Sequence, residues 1–320
     1  MTRRLARVGL ASAVLAVGTA APPLGAQSPD DLINACRGAG GGLARCSAAA
    51  VGSRAMQGQL GLLAGLGSEI GGTATTLATR IGGGPRLTIG ARLAVADASL
   101  PDPTDAAWLG ERSFFVPSVH VDGAVGLFDG FRLMPTVGGF LSVDVFGRAA
   151  FSMLPESEGF DGGATAFTGG VRLGIFREGF TVPGVSVSLS RRWVGSAGFG
   201  SAGTDPVAFE VDPAVTAARA TIGKDLFAVE WLAGVGRDDY SGRATTYVSD
   251  GGGGTASSSS DLESSRWIYF GGASMTWGVV LNVALEAGWA QGADPVSAYA
   301  GRFDPEGGVP FGSLSVRLVL

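Results

Sequence analysis

From residue 86 onward, apolar and polar residues alternate along the chain with a period of two. In residues 279–290 the odd positions read Val, Leu, Val, Leu, Ala and Trp, whereas the even positions include Asn282 and Glu286. Residues 86–95 and 313–320 repeat the pattern. Successive side chains of a β-strand point to opposite faces of its sheet, so this alternation predicts strands with one apolar and one polar face.

Ten such segments are predicted, and no long stretch with a helical period interrupts them. They start near Arg86, Val116, Thr136, Thr165, Val185, Val211, Phe227, Arg266, Val279 and Gly312. The segment from Val211 needs a β-bulge near Ala217 and Ala218 to keep its apolar face continuous.

The connections predicted between these segments alternate strictly between short and long. The short ones are residues 129–130, 177–184, 223–225 and 277–278. The longer, polar ones are residues 97–112, 155–163, 195–206, 237–265 and 291–310, of which 237–265 contains a Gly- and Ser-rich stretch that we expect to be flexible. An up-and-down barrel in an outer membrane predicts this alternation, with short turns on the periplasmic side.

Aromatic residues recur beside the predicted short turns, at the same end of successive hairpins. In a membrane barrel such residues form a girdle at the lipid–water boundary. The predicted girdle consists of Phe128, Phe131, Phe176, Phe180, Phe227, Trp231 and Trp277.

Composition leaves two classes of protein open. The chain is 46% hydrophobic and only 16% charged, and its mean hydropathy is +0.30. No apolar run reaches the roughly 20 residues that a membrane-spanning helix needs. The sequence therefore predicts either an all-β membrane barrel or a secreted soluble β-sandwich or barrel. Only the membrane barrel explains the connection lengths and the aromatic positions, and lipid requires it to be closed because lipid offers no hydrogen bonds.

The N-terminal part of the chain differs from the rest. Residues 1–26 combine three arginines with a short apolar run and two prolines, which is typical of a cleaved export signal. Residues 27–85 are rich in Gly and Ala and contain two helical stretches; they form either a periplasmic cap or a plug inside a barrel that spans residues 86–320. In an exported protein, Cys36 and Cys46 are expected to form a disulfide.

The polar face of the predicted strands carries both arginines and acids. Buried charges are expected to pair with one another, because an isolated buried charge is costly. The predicted lumen network consists of Arg86, Arg92, His120, Asp122, Asp144, Arg148, Arg172, Arg192, Arg219, Glu230, Glu286 and Arg317. This network either packs the lumen or lines a passage for small, anionic solutes. Ten strands lie near the closed end of the size range, which favours a narrow or plugged lumen.

Catalytic and metal sites are not predicted. Ser118, His120 and Asp122 share one strand face, as an embedded esterase would require, but residues two apart lie about 6.6 Å apart, too far for direct hydrogen bonds. His120 is therefore assigned to the lumen network, and the chain is expected to be neither an enzyme nor a cofactor-binding protein.

Two groups of acids in the long connections could bind calcium, although solvated surface acids are the favoured interpretation. These groups are Asp97, Asp102 and Asp105, and Asp238, Asp239 and Asp250. Nucleic acid is not an expected partner, because 28 Asp and Glu outnumber 23 Lys and Arg.

The export signal, the ten alternating segments, the connection rhythm and the C-terminal strand resemble bacterial outer-membrane β-barrel proteins of the small type, over residues 86–320. The resemblance implies a monomer in the outer membrane, contacts with its lipids, and assembly by the barrel-assembly machinery. The even strand number places both termini in the periplasm. The chain departs from the pattern by ending in Leu318-Val319-Leu320 rather than in an aromatic residue. The expected role is structural or the passage of small solutes, with binding by surface loops as the alternative.

Overall fold

The computed structural model describes residues 28–77, 84–104, 110–132, 138–249, 254–278 and 280–320. The predicted signal segment and the predicted strand starts at Thr136 and Val279 lie outside these ranges, as do Asp105 and Asp250.

Two helices precede a series of strands, and one connection between strands contains a 3-10 turn, Glu156–Glu158. The helices are α1 (Pro29–Gly38) and α2 (Leu43–Leu63). The strands are β1 (Arg86–Asp102), β2 (Gly110–Phe128), β3 (Ser142–Ser152), β4 (Ala164–Phe176), β5 (Gly184–Val194), β6 (Ala197–Phe199), β7 (Val207–Leu226), β8 (Val229–Ser249), β9 (Thr255–Trp277), β10 (Leu281–Ala290) and β11 (Val309–Val319).

The strands form a closed antiparallel barrel. Each long strand pairs with its neighbours in the chain, β5 pairs with β7, and β1 closes the ring with β11 over the pairs from Thr88–Val319 to Ala96–Phe311. The three-residue β6 pairs with β7 beside the ring. The predicted ten-stranded up-and-down barrel is confirmed, and its closure leaves no long sheet edge open to other chains.

Three strand starts lie six or more residues from the predicted ones: β2 starts at Gly110 rather than near Val116, and in β9 small polar residues hide the alternation. β9 starts at Thr255 rather than near Arg266, and the Gly- and Ser-rich stretch predicted to be flexible pairs with β8, for example Thr245 with Ser259. β3 starts at Ser142, so the connection after β2 is residues 129–141 and not a two-residue turn. The strict alternation of short and long connections is therefore wrong: 7 residues separate Asp102 of β1 from Gly110 of β2, where a long connection was predicted, and 13 separate Phe128 of β2 from Ser142 of β3, where a short one was predicted.

The bulge predicted in β7 is also wrong. β7 pairs with β8 in one continuous register from Val207–Val248 to Leu226–Val229. Val211 and Val215 face the barrel interior and are buried there. The bulge was predicted to keep all apolar residues of β7 on one face. It is not needed, because α2 inside the barrel covers these two valines.

The outward face of the barrel is apolar. The inward face is charged and polar toward the end where β1 starts, and apolar toward the opposite end, where residues such as Leu100, Phe209 and Leu262 pack against α1 and α2. Outward side chains such as Leu93, Phe167 and Leu285 are 59%, 62% and 65% exposed. No helix in the described ranges is long and apolar enough to cross a membrane.

Residues 43–77, which we call the lumen segment, run lengthwise through the barrel. α2 begins at the loop end, which we define as the end where β1 and β8 end and β2 and β9 start; there Gly52 lies against Phe209 and Pro101. The chain then descends to the terminal end, where β1 starts and β11 ends, and Gly72 lies against Ser274. Nearly every residue of the lumen segment from 46 onward is buried.

α1 lies at the loop end, where it packs against β8, β9 and α2. A disulfide between Cys36 and Cys46 joins α1 to α2, as predicted. Ser28, the first described residue, therefore lies at the opposite end of the barrel from Leu320. The lumen segment crosses the whole barrel before β1 begins, whereas the start of β1 and the end of β11 lie at the same end; the periplasmic placement of both termini stays a prediction.

Candidate functional site

The candidate site is the contact between the barrel wall and the lower part of the lumen segment, residues 64–77. These residues form neither helix nor strand, so their main-chain N–H and C=O groups lack regular partners and must find others inside the barrel. The inward side chains of the wall supply them.

Glu286 on β10 and Arg92 on β1 hold the first turn of this stretch. The Glu286 carboxylate accepts hydrogen bonds from the Ser68 hydroxyl, from the Ser68 main-chain N–H (2.9 Å) and from the Gly72 N–H (3.1 Å). The Arg92 guanidinium donates to the carbonyls of Leu66 and of Ser68 (3.0 Å). Arg92 Nη1 also lies 3.7 Å from Glu286 Oε2, so the two anchors neutralise each other.

Arg148 on β3 extends this cluster around the wall. Its Nη2 donates to the carbonyls of Ser68 (3.3 Å) and Glu69 (3.2 Å), while its Nε donates to Asp122 on β2. Asp122 Oδ2 lies 3.8 Å from Arg92 Nε. Asp122 thus links two arginines that both bind the lumen segment.

A second carboxylate and arginine hold the end of the lumen segment. Asp144 on β3 accepts the Leu77 N–H at 3.0 Å and pairs with Arg172 on β4, with Nη2 2.8 Å from Oδ2. Arg172 also donates to the carbonyls of Thr73 (3.2 Å) and Thr75 (2.8 Å). The wall therefore binds both donors and acceptors of the same main-chain stretch.

Three more wall residues complete the set of anchors. Glu230 on β8 accepts the Ala74 N–H at 3.1 Å, Arg86 donates to the Leu77 carbonyl at 3.2 Å, and the Ser274 hydroxyl donates to the Gly72 carbonyl at 2.8 Å. Most of these contacts are to main-chain atoms, so the wall binds the backbone of the lumen segment more than its side chains.

Glycines let the segment approach the charged wall closely. A Cβ on Gly65 would collide with the guanidinium of Arg192, and a Cβ on Gly67 with the carboxylate of Glu286. Gly67 and Gly72 also have φ of +71° and +73°, which glycine adopts without steric cost.

A separate cluster lies beside the C-terminal end of α2. Asp238 on β8 pairs with Arg192 on β5 and Arg219 on β7, at 2.8 and 2.5 Å, and accepts the Tyr240 hydroxyl at 3.3 Å. Arg192 also donates to the Gly61 carbonyl at 3.1 Å. The sequence placed Asp238 among loop acids, which is wrong, because β8 continues well past it.

The remaining predicted residues fall into three groups. Arg317 faces the interior and is 9% exposed. The predicted girdle residues all lie at the terminal end of the barrel; Phe176 is half-buried, the others are exposed, and the rings of Phe128 and Phe131 meet edge to face with centroids 5.3 Å apart.

Two described loop acids are paired: Asp102 with Arg112 at 2.6 Å and Asp239 with Arg237 at 3.0 Å.

His120 makes a contact that the sequence argument excluded. The Ser118 hydroxyl and His120 Nε2 are 2.9 Å apart, so the ends of the two side chains come much closer than their Cα spacing on the strand. Both residues are buried, and Asp122 is engaged by Arg148 rather than by His120. Within the described part of the chain, no group of three or more His, Cys, Asp and Glu residues could hold a metal ion.

Sequence reasoning missed Asp238, Tyr240, Arg266 and Glu69 as interior residues. Asp238, Tyr240 and Arg266 fall in the stretch whose small polar residues hide the alternation. Glu69 belongs to the lumen segment, for which no periodicity predicts a buried position. Continuing the inward parity of β8 and β9 would have found the first three.

Comparisons with known proteins find neither a matching family model nor a matching curated protein. Among solved structures, the protease OmpT from Escherichia coli is 11% identical, with a TM-score of 0.37 over 73% of this chain and 95% of that chain. The translocator domain of the autotransporter NalP from Neisseria meningitidis is 13% identical, with a TM-score of 0.36 over 82% and 94%. Ail from Yersinia pestis is 10% identical, with a TM-score of 0.25 over 73% and 98%. At TM-scores this low, the barrel fold of this chain is established by its own strand pairing.

Proposed function

We propose that this chain is an outer-membrane β-barrel whose own N-terminal segment keeps the lumen closed, so that it serves a structural or surface role and passes at most small solutes. Its outward residues support a lipid environment: a soluble monomer rarely exposes an apolar surface that is continuous around the whole molecule. Its closure leaves every strand paired, as hydrocarbon requires.

One observation carries the proposed closure: wall residues from β1, β3, β4, β8 and β10 bind the main chain of residues 66–77. Anchors on all sides hold the segment in the middle of the lumen. At the level of Glu69, Asp122 and Arg317, the cavity between the lumen segment and the wall measures about 10 Å³, which is room for one water molecule at most.

A surface-binding role is the second candidate. A strand tilted across a bilayer needs only about 9–11 residues, yet β7, β8 and β9 have 20, 21 and 23. Their extra length projects from the loop end, and α1 packs against β8 and β9 there. With the short turn 227–228 in the periplasm, this projecting part faces the cell exterior.

Conductance of the full chain in planar lipid bilayers tests the closed-barrel proposal. We expect the wild-type protein to give no more than small, flickering currents. Replacing both carboxylate anchors, Asp144→Ala with Glu286→Ala, removes the acceptors for three main-chain N–H groups and should increase the open time.

The matched control replaces two exposed acids on outward faces, Asp212→Ala with Asp239→Ala, and should behave like the wild type. Large, stable conductance steps from the wild-type protein would contradict the proposal. Heat-modifiable migration on detergent gels establishes that each variant is folded.

A further inference from the structure

A seam opens in the barrel wall at the loop end. The pairing of β1 with β11 ends at Ala96 and Phe311, while β1 continues to Asp102 beside β2. Residues 291–308, which connect β10 to β11, lie across the gap. α2 closes its inner side: Gln59 Nε2 donates to the Ser99 carbonyl at 2.6 Å, and Arg54 Nη1 donates to the Asp294 carbonyl at 3.1 Å.

A cavity of about 200 Å³ lies in this seam. For comparison, an engineered cavity of about 150 Å³ binds benzene. The lining combines apolar residues, among them Val296 and Phe303, with charged residues of both signs. A small organic molecule therefore fits the space, and the charges determine which kind.

Arg266 on β9 forms the buried, cationic part of the lining. It is 4% exposed, its guanidinium lies against Gly58 of α2, and its carbon Cζ is 5.7 Å from the ring centroid of Tyr240. Of the seven buried arginines in the described ranges, five pair with a carboxylate, Arg192 among them, whereas Arg266 and Arg317 do not. Within the described ranges Arg266 has no ion pair, and its Nε has no hydrogen-bond partner.

The exposed part of the lining is acidic. Asp97, Glu111 and Asp304 line the same cavity and are exposed to solvent. These carboxylates would repel a dianion. A zwitterion complements both charged parts of the lining, because its carboxylate can bind Arg266 while its ammonium group lies beside the acids. The apolar lining suits an aliphatic side chain.

We propose that this cavity binds a small α-amino acid with an aliphatic side chain, its carboxylate on Arg266. Planar guanidinium groups bind carboxylates through two parallel hydrogen bonds, which gives Arg266 both charge and geometry for this role. The cavity lies in the wall seam and α2 forms its inner side, so the site rests on the lumen segment lying inside the barrel, as in the proposed function, but not on whether that segment blocks conduction.

Isothermal titration calorimetry of the full chain in detergent tests this site, with L-leucine as the probe. Two analogues separate the charges: 4-methylpentanoate lacks the ammonium and 3-methylbutylamine lacks the carboxylate. We expect saturable binding of L-leucine and at least about tenfold weaker binding of each analogue. Arg266→Gln should weaken L-leucine binding at least about tenfold, whereas Arg237→Gln, an exposed arginine on the neighbouring strand, should not change it.

Ala293→Leu supplies a second variant that keeps the arginine. Ala293 lies in the connection between β10 and β11 and lines the cavity, so a larger side chain there should block binding without altering the barrel. This variant decides the question if Arg266→Gln fails to show heat-modifiable migration. Absence of saturable L-leucine binding to the wild type, unchanged binding to the folded variants, or equal binding of 3-methylbutylamine would overturn the proposal.

Discussion

Asp238 and Arg192 form an ion pair in which both side chains are fully buried, with Arg192 Nη1 2.8 Å from Asp238 Oδ2. The pair joins β5 to β8 across the interior of the barrel, and Arg192 continues to the Gly61 carbonyl of α2. One carboxylate thus holds two parts of the wall and the lumen segment together.

Asp238→Asn should destabilise the barrel by about 3 kcal/mol, because it leaves the buried Arg192 and Arg219 without a counter-charge. Asp239→Asn is the matched control: Asp239 is the next residue on the same strand, faces outward and pairs with the exposed Arg237. Loss of such an exposed pair changes stability by less than about 1 kcal/mol. Equal urea unfolding midpoints for the two variants in lipid would show that the buried pair does not hold the structure.

Gly65→Ala should destabilise the protein by about 1–3 kcal/mol, because the added Cβ collides with the guanidinium of Arg192 and forces the core to shift. Gly38→Ala is the control, since a Cβ on Gly38 of α1 meets no atom within 4 Å. The free energy of unfolding from urea titrations distinguishes the two. A Gly65→Ala protein as stable as the control would mean that Arg192 and the lumen segment are not in close contact.

Leu285→Arg should cost about 2–4 kcal/mol when the protein is folded in lipid vesicles, because an arginine on the lipid-facing surface near the bilayer centre is that unfavourable. Ser259→Arg places the same side chain on an exposed position of β9, in the part that pairs with Thr245 beyond the predicted membrane region. We expect that variant to fold with wild-type stability. Similar stabilities for both would argue that Leu285 does not face lipid.

The sequence predicts the barrel well where its two faces meet different surroundings. In β10, Leu281–Ala290, lipid on one side and a polar interior on the other produce a clear alternation that shows which face points outward. In the upper parts of β8 and β9, buried Ala244, Val248 and Leu262 are interspersed with Ser and Thr on the inward face, and the outward face is polar too, so the alternation is hard to see around Ser257 although the strand pairing continues. That is why Asp238 was assigned to a loop.

The position of the lumen segment could not be predicted from its residues. The wall binds its main chain at Ser68, Gly72 and Leu77, and main-chain hydrogen bonds leave no side-chain pattern in the sequence. The glycines that permit this close approach are equally typical of a flexible linker. The structure places the charged wall residues inward, where they pair with one another, as Asp144 does with Arg172, and also bind the main chain of the lumen segment, which the strand periodicity does not describe.

A disulfide between the lumen segment and the wall tests most directly whether this segment occupies the barrel. The hydroxyl oxygens of Thr76 and Ser142 lie 2.5 Å apart, one in the lumen segment and one on β3. In the full chain carrying Thr76→Cys and Ser142→Cys, we predict that a new disulfide forms in native outer membranes and that Thr76→Cys with Ser113→Cys, whose second position is at the loop end, forms none. Failure of the first pair to cross-link in a folded, heat-modifiable barrel would contradict the account.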